Sequence, residues 1–147
     1  ASQPGQEGQG ATEGGQAASP EAAELDAAKA LLASSKFKEA FDAYSKFLQA
    51  HPGSRQAPEA LIGLGSAQFS LKNYKASIST QQKLITLHPD SDKVPDAMFS
   101  IANSQIQLSD VDGAKKTLRS LLDKYPSHEL APSAMRRLGV LDSIKSK

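Results

Sequence analysis

HPGSRQAPEAL (residues 51–61), HPDSDKVPDAM (88–98) and YPSHELAPSAM (125–135) are three versions of one segment, set thirty-seven residues apart. Each holds a proline followed six residues later by a second, at Pro52 and Pro58, Pro89 and Pro95, Pro126 and Pro132. Proline discourages helix in the residue before it and is well tolerated in the first turn of the next helix. Each segment therefore ends one helix and starts another. A fixed period in this range means stacked helical units rather than one closed core, which favours a scaffold or binding module over an enzyme.

Outward from these joints the pattern is helical from Ser19 onward. Ser19-Pro20-Glu21 supplies a capping hydroxyl, a proline for the first turn and an acid for the helix dipole. Ala57-Pro58-Glu59, Val94-Pro95-Asp96 and Ala131-Pro132-Ser133 repeat that opening. The spacing predicts helix pairs near 20–34 and 37–50, 56–71 and 74–87, and 93–108 and 111–124. A seventh helix, near 130–145, stands alone. No sustained alternation of apolar and polar residues signals a strand. The expected fold is an all-α solenoid of three helix-pair repeats, about 20–52, 57–89 and 94–126, closed by a capping helix.

Aligned at this period, the units show columns without gaps. Ala28, Gly65, Ala102 and Gly139 form one small column, and Ala40, Ser77 and Ala114 another. Large residues fill the columns Leu61, Met98, Met135 and Leu64, Ile101, Leu138, one stripe of a 3.6-residue helix. Phe37, Tyr74, Val111 and Phe47, Leu84, Leu121 do the same on the second helices. Glu24 breaks the large column in the first unit, as an outermost unit with a polar face requires.

Residues 1–19 are Gly, Gln, Ala, Ser, Thr and Pro with two glutamates and no large apolar side chain. Such a stretch cannot offset the backbone entropy of ordering it, roughly 1–2 kcal/mol per residue. It is expected to be a flexible linker to something upstream or a plain disordered terminus. The whole chain has 147 residues, a net charge of +1 and no cysteine, so it forms neither disulfides nor thiolate metal sites. It contains no apolar run long enough to span a membrane.

The arrangement of small and large columns resembles the tetratricopeptide repeat, most fully over Leu64 to Pro89, LGSAQFSLKNYKASISTQQKLITLHP. Those repeats are usually thirty-four residues, and the surplus here fits the connectors, such as Gly53 to Ala57. Tyr125-Pro126, Ala131, Ala134, Arg137-Leu138, the pair Asp90-Ser91, and Asp96-Ala97-Met98 narrow the likeness. The region 20–147 is similar to the C-terminal repeat domain of the YbgF/CpoB family, Tol-Pal-associated periplasmic coordinators of cell division. That resemblance implies a non-catalytic adaptor that binds TolA and links outer-membrane constriction to septal peptidoglycan synthesis. The implied further partners are a bifunctional penicillin-binding synthase and its lipoprotein activator. Family members join this domain through a linker to a trimerising coiled coil; without one, the chain is expected to be monomeric. The alternative is a repeat scaffold from an outer-membrane protein assembly lipoprotein.

In a solenoid of helix pairs the first helices line the hollow side. Positions i, i+4, i+7 and i+8 place Leu25, Lys29, Leu32 and Ala33 there, then Ile62, Ser66, Phe69 and Ser70. Phe99, Asn103, Ile106 and Gln107 follow, with Arg136 and Val140 from the last helix. Leu25, Ile62 and Phe99 are expected to form an apolar column free for a partner, flanked by Ser66, Asn103 and Gln107 as hydrogen-bonding groups. The competing account is that half of these residues simply pack against neighbouring helices. The carboxylate-gripping subclass of these repeats wants Lys and Asn where Leu25 and Lys29 stand, so a chaperone-tail ligand is not expected.

No residue pattern points to chemistry. His51 and His88 lack carboxylates at ligand spacing and suit helix C-termini, and His128 sits in a connector without an evident role. Asp90, Asp92 and Asp96 lack the glycine and glutamate of a calcium loop. The basic surplus around Lys115, Lys116, Arg119, Arg136 and Arg137 is too small and too poor in aromatics for nucleic acid; it is better explained as a solvated face. No cofactor, metal or catalytic group is expected.

Overall fold

In a computed structural model that describes residues 19–144, the chain is a succession of helices joined by short turns, with no strand among the described residues. Seven helices run through the described residues: α1 (Pro20–Ala33), α2 (Phe37–Ala50), α3 (Ala57–Ser70), α4 (Tyr74–Leu87), α5 (Val94–Gln107), α6 (Val111–Lys124) and α7 (Ala131–Asp142). Consecutive helices pack as antiparallel neighbours. The first helices α1, α3 and α5 also touch in sequence, whereas the second helices stand apart. The stack is therefore an all-α solenoid with α1, α3 and α5 on its inner side. The linker expected over residues 1–19 lies, but for Ser19, outside the described residues; the predicted seventh helix ends at Asp142, and its last expected residue, 145, also lies outside them.

Local chemistry explains the boundaries. Ser19 Oγ accepts from the Ala22 N–H at 2.9 Å and caps α1. The later first helices use another device. Ser54 Oγ accepts from the Gln56 N–H and Ser91 Oγ from the Lys93 N–H, each at 3.0 Å, just before the prolines. In the third connector His128 Nδ1 takes that place, accepting from the Leu130 N–H at 3.0 Å. His128 thus has a structural role that its sequence context did not reveal.

The turns inside each pair also repeat. Ser35, Lys72 and Ser109 have φ of 61, 67 and 64°, the left-handed region. The next N–H reaches back to close the helix: Lys36 to Leu31 O, Asn73 to Gln68 O and Asp110 to Gln105 O, at 2.8–2.9 Å. This is the Schellman ending, made here without the usual glycine.

Two apolar clusters lie along the stack. Leu25, Ala28, Ala40, Tyr44, Phe47 and Ala60 belong to the first. The second runs from Leu61 and Leu84 through Met98, Leu118 and Leu121 to Leu141. Between α3 and α4 the packing is more polar. Ser77 Oγ donates to Gly65 O at 2.8 Å, and Thr80 Oγ1 donates to Gln68 Oε1 at 2.6 Å, both buried. Glycine is required twice on α3: a Cβ at Gly63 would collide with the Tyr44 ring, and one at Gly65 with the Gln81 side chain. The predicted close approach at Gly65 is therefore present.

Two columns change character at the end of the stack. Met135 was expected in the core beside Met98, yet it is 56% exposed, because among the described residues no helix follows α7 to cover that face. Gly139, in the small column, meets nothing within 4 Å. The capping helix rests on α6 through its other side, where Ala131, Ala134 and Leu141 are buried. Asp142 there accepts from Arg119 at 3.0 Å.

Candidate functional site

The hollow side holds a cleft of about 240 Å3 between α3 and α5, lined by Ser66, Phe69, Ser70, Ser100 and Asn103. The helix period puts Ser66, Phe69 and Ser70 on one face of α3. Phe69 is fixed from behind by Tyr74, edge to face with ring centres 5.1 Å apart. The cleft offers one aromatic anchor among three hydroxyls and an amide, with no charged side chain in its lining. Hydroxyl and amide groups both donate and accept, which suits the backbone of a peptide segment.

At one end the cleft is bounded by α7. Arg137 Nη1 donates to Asn103 Oδ1, and its guanidinium lies over the Phe99 ring, 5.4 Å from the centroid. This contact fixes the Asn103 amide and covers one face of Phe99. Away from the cleft, Lys29 Nζ donates to Glu59 Oε2 at 2.7 Å and ties α1 to α3. The Glu59 hydrogen bond, and then its charge, hold the Lys29 ammonium above the usual lysine range.

The predicted site residues divide accordingly. Ser66, Phe69, Ser70 and Asn103 come together in the cleft. Leu25 does not belong to a binding surface: it is 1% exposed and shares the first core cluster with Tyr44 and Phe47 of α2. Ile62, Phe99 and Ile106 are partly buried against the second cluster, and Leu32 against the first. The apolar column is therefore built into the packing rather than left free. Lys29 is engaged with Glu59, Gln107 is exposed at the end of α5, and Val140 is 63% exposed on α7. Arg136 is exposed and donates to Ser133 within α7, so Arg137, not Arg136, bonds the Asn103 amide, from outside the cleft's lining.

Sequence reasoning missed Ser100 and Arg137. Their position depends on the angles at which α5 and α7 cross their neighbours, which no column of one helix encodes. The His51 ring bonds side chains rather than helix carbonyls: its Nε2 lies 2.9 Å from Glu24 Oε1 and its Nδ1 3.6 Å from Glu21 Oε2. Glu24, the misfit in the large column, is thus explained by a contact to the end of α2. Among the described residues no group of His, Cys, Asp or Glu is arranged to hold a metal ion. None of the described helices is long and apolar enough to cross a membrane.

Tetratricopeptide-repeat family models match residues 25–92 and residues 96–128. This is a tetratricopeptide-repeat domain. Solved structures agree in fold. PcrH from Pseudomonas aeruginosa superposes with a TM-score of 0.69 at 16% identity, covering 90% of this chain and 92% of that one. The first TPR domain of human RPAP3 gives 0.69 at 20% identity, over 84% and 92% of the two chains. A T3SS complex from Aeromonas hydrophila gives 0.73 at 17% identity, over 87% and 85%. No curated protein matches the sequence. The repeat domain is a protein-interaction scaffold, and its hollow side is where the α3–α5 cleft lies.

Proposed function

We propose that this domain is the partner-binding part of a non-catalytic adaptor in the bacterial periplasm, working with the Tol-Pal system during cell division. It would hold TolA and so couple outer-membrane constriction to septal peptidoglycan synthesis, with a bifunctional penicillin-binding synthase and its lipoprotein activator as further partners. The observation that carries the binding reading is the cleft formed by Ser66, Phe69, Ser100 and Asn103, an uncharged slot with one aromatic anchor. Such a slot favours a segment that inserts one apolar side chain and satisfies its backbone with hydroxyls and an amide. Protein segments are held by proteins of similar fold: PcrH is solved with the chaperone-binding regions of PopB and PopD, and the second RPAP3 TPR domain with an HSP70 peptide.

The narrower assignment is supported by the thirty-seven-residue period, by its connector sequence, and by the linker-like composition of residues 1–19. Calorimetric titration with the purified TolA stalk tests it. Saturable one-to-one binding in the micromolar range is expected, equivalent to roughly 8 kcal/mol. No binding at high micromolar concentration contradicts the Tol-Pal assignment while leaving the repeat domain intact.

A further inference from the structure

The outer side of the stack carries a second hollow that the sequence did not suggest. Because α4 and α6 stand apart, a channel of about 440 Å3 opens between them, floored by α5. Its floor is the stripe Val94, Met98 and Ile101, and one wall is the stripe Ile78, Gln82 and Ile85. Both stripes advance by four and then three residues, the spacing that a third helix needs to lay its own apolar ridge between them. The floor residues are buried in the fold already and keep its shape without an occupant, so the apolar surface left for one comes chiefly from the partly buried Ile78 and Ile85 of the wall. From Ile78 to Pro89 the wall runs about 16 Å, three helical turns.

Charge identifies the occupant. The other wall brings Lys116 and Lys124 to the channel, and no carboxylate lines it. Beyond Pro89 and Tyr125, which border both spaces, lies a hollow of about 570 Å3 edged by Asp90, Asp92, Asp96 and Glu129 with a single lysine, Lys93. The lining thus changes from basic to predominantly acidic from one space to the next. We propose that this channel seats a short amphipathic helix of a protein partner, acidic along its flank beside α6 and basic where it passes Tyr125. Opposed charges at the two ends fix its direction, since a reversed helix would set like charges together. The site is on the opposite side from the α3–α5 cleft and does not depend on it.

The test uses the whole chain, labelled with 15N, and a synthetic helical peptide of about fourteen residues. The peptide carries leucines at alternating spacings of four and three, glutamates flanking its first two turns, and lysines at its end. Saturable shifts of the Gln82, Ser120 and Lys124 amides are expected, with Ser66 and Asn103 unmoved. The double variant Lys116→Glu/Lys124→Glu should keep its melting temperature, because both lysines are exposed, and should bind about tenfold more weakly. A peptide with the charge order inverted should also bind more weakly. No saturable shift, shifts confined to Ser66 and Asn103, or undiminished binding by the double variant would each overturn the proposal. Loss of TolA binding leaves this result untouched, because the TolA titration reports on the other side.

Discussion

Gly65 and Gly139 occupy the same place in the repeat, one on α3 inside the stack and the other on α7 at its end. Around Gly65 the second helix of the unit presses in, and the buried Gln81 side chain fills the space where a Cβ would stand. Around Gly139 there is open space, since α7 has no second helix following it among the described residues. Met98 and Met135 repeat the contrast at 7% and 56% exposure. A column in a repeat thus fixes which way a residue points, whereas the neighbouring unit decides whether anything meets it there. In a quasi-one-dimensional stack the end unit keeps the pattern and loses the packing.

The contrast can be broken by substitution. Met98→Ala should cost about 2–5 kcal/mol by leaving a cavity between α5 and α6, while Met135→Ala should stay within about 0.5 kcal/mol. Denaturant midpoints of the two variants compare them directly; equal losses would mean that the face of α7 is covered in solution. Gly65→Leu should cost about 1–3 kcal/mol or more, because a Cβ there already strikes the buried Gln81 side chain and leucine adds three further carbons. Gly139→Ala reverses the sign: with no neighbour to strike, it should gain up to about 1 kcal/mol of helix propensity, read as a small rise in melting temperature. The least effect belongs to the seam between α1 and α3. The Lys29 pKa is raised in the folded state, so the Lys29–Glu59 pair contributes stability below the ordinary lysine pKa of 10.5 and loses it as pH rises above that. Both groups are substantially exposed, so the loss should be slight and should shrink in salt. A melting curve of Lys29→Met against pH would show it as the disappearance of a small alkaline slope.

The helices were legible in the sequence because proline marks their ends: every predicted pair lies within a residue or two of the observed bounds. The turns within the pairs were not, since Ser35, Lys72 and Ser109 hold the left-handed backbone without glycine to announce it. Of the candidate site, Ser66, Phe69, Ser70 and Asn103 were found by helical period alone. Leu25 was misplaced because its column matches Ile62 and Phe99, yet in the first unit it is enclosed with Tyr44 and Phe47. Arg137 was read as part of a solvated basic face, whereas in the fold its guanidinium lies over Phe99 of α5. The outer channel was illegible because it arises from the gap between α4 and α6, a property of their relative tilt and of no single segment.

The most direct test is to remove the floor and the amide of the inner cleft together, with Phe69→Ala/Asn103→Ala, and to measure affinity for the TolA stalk beside thermal stability. A loss of tenfold or more in affinity, about 1.4 kcal/mol or above, with the helical content and cooperative melt retained, is the predicted result. Unchanged affinity in a stably folded double variant would contradict the assignment of the α3–α5 cleft as the place where this domain holds its partner.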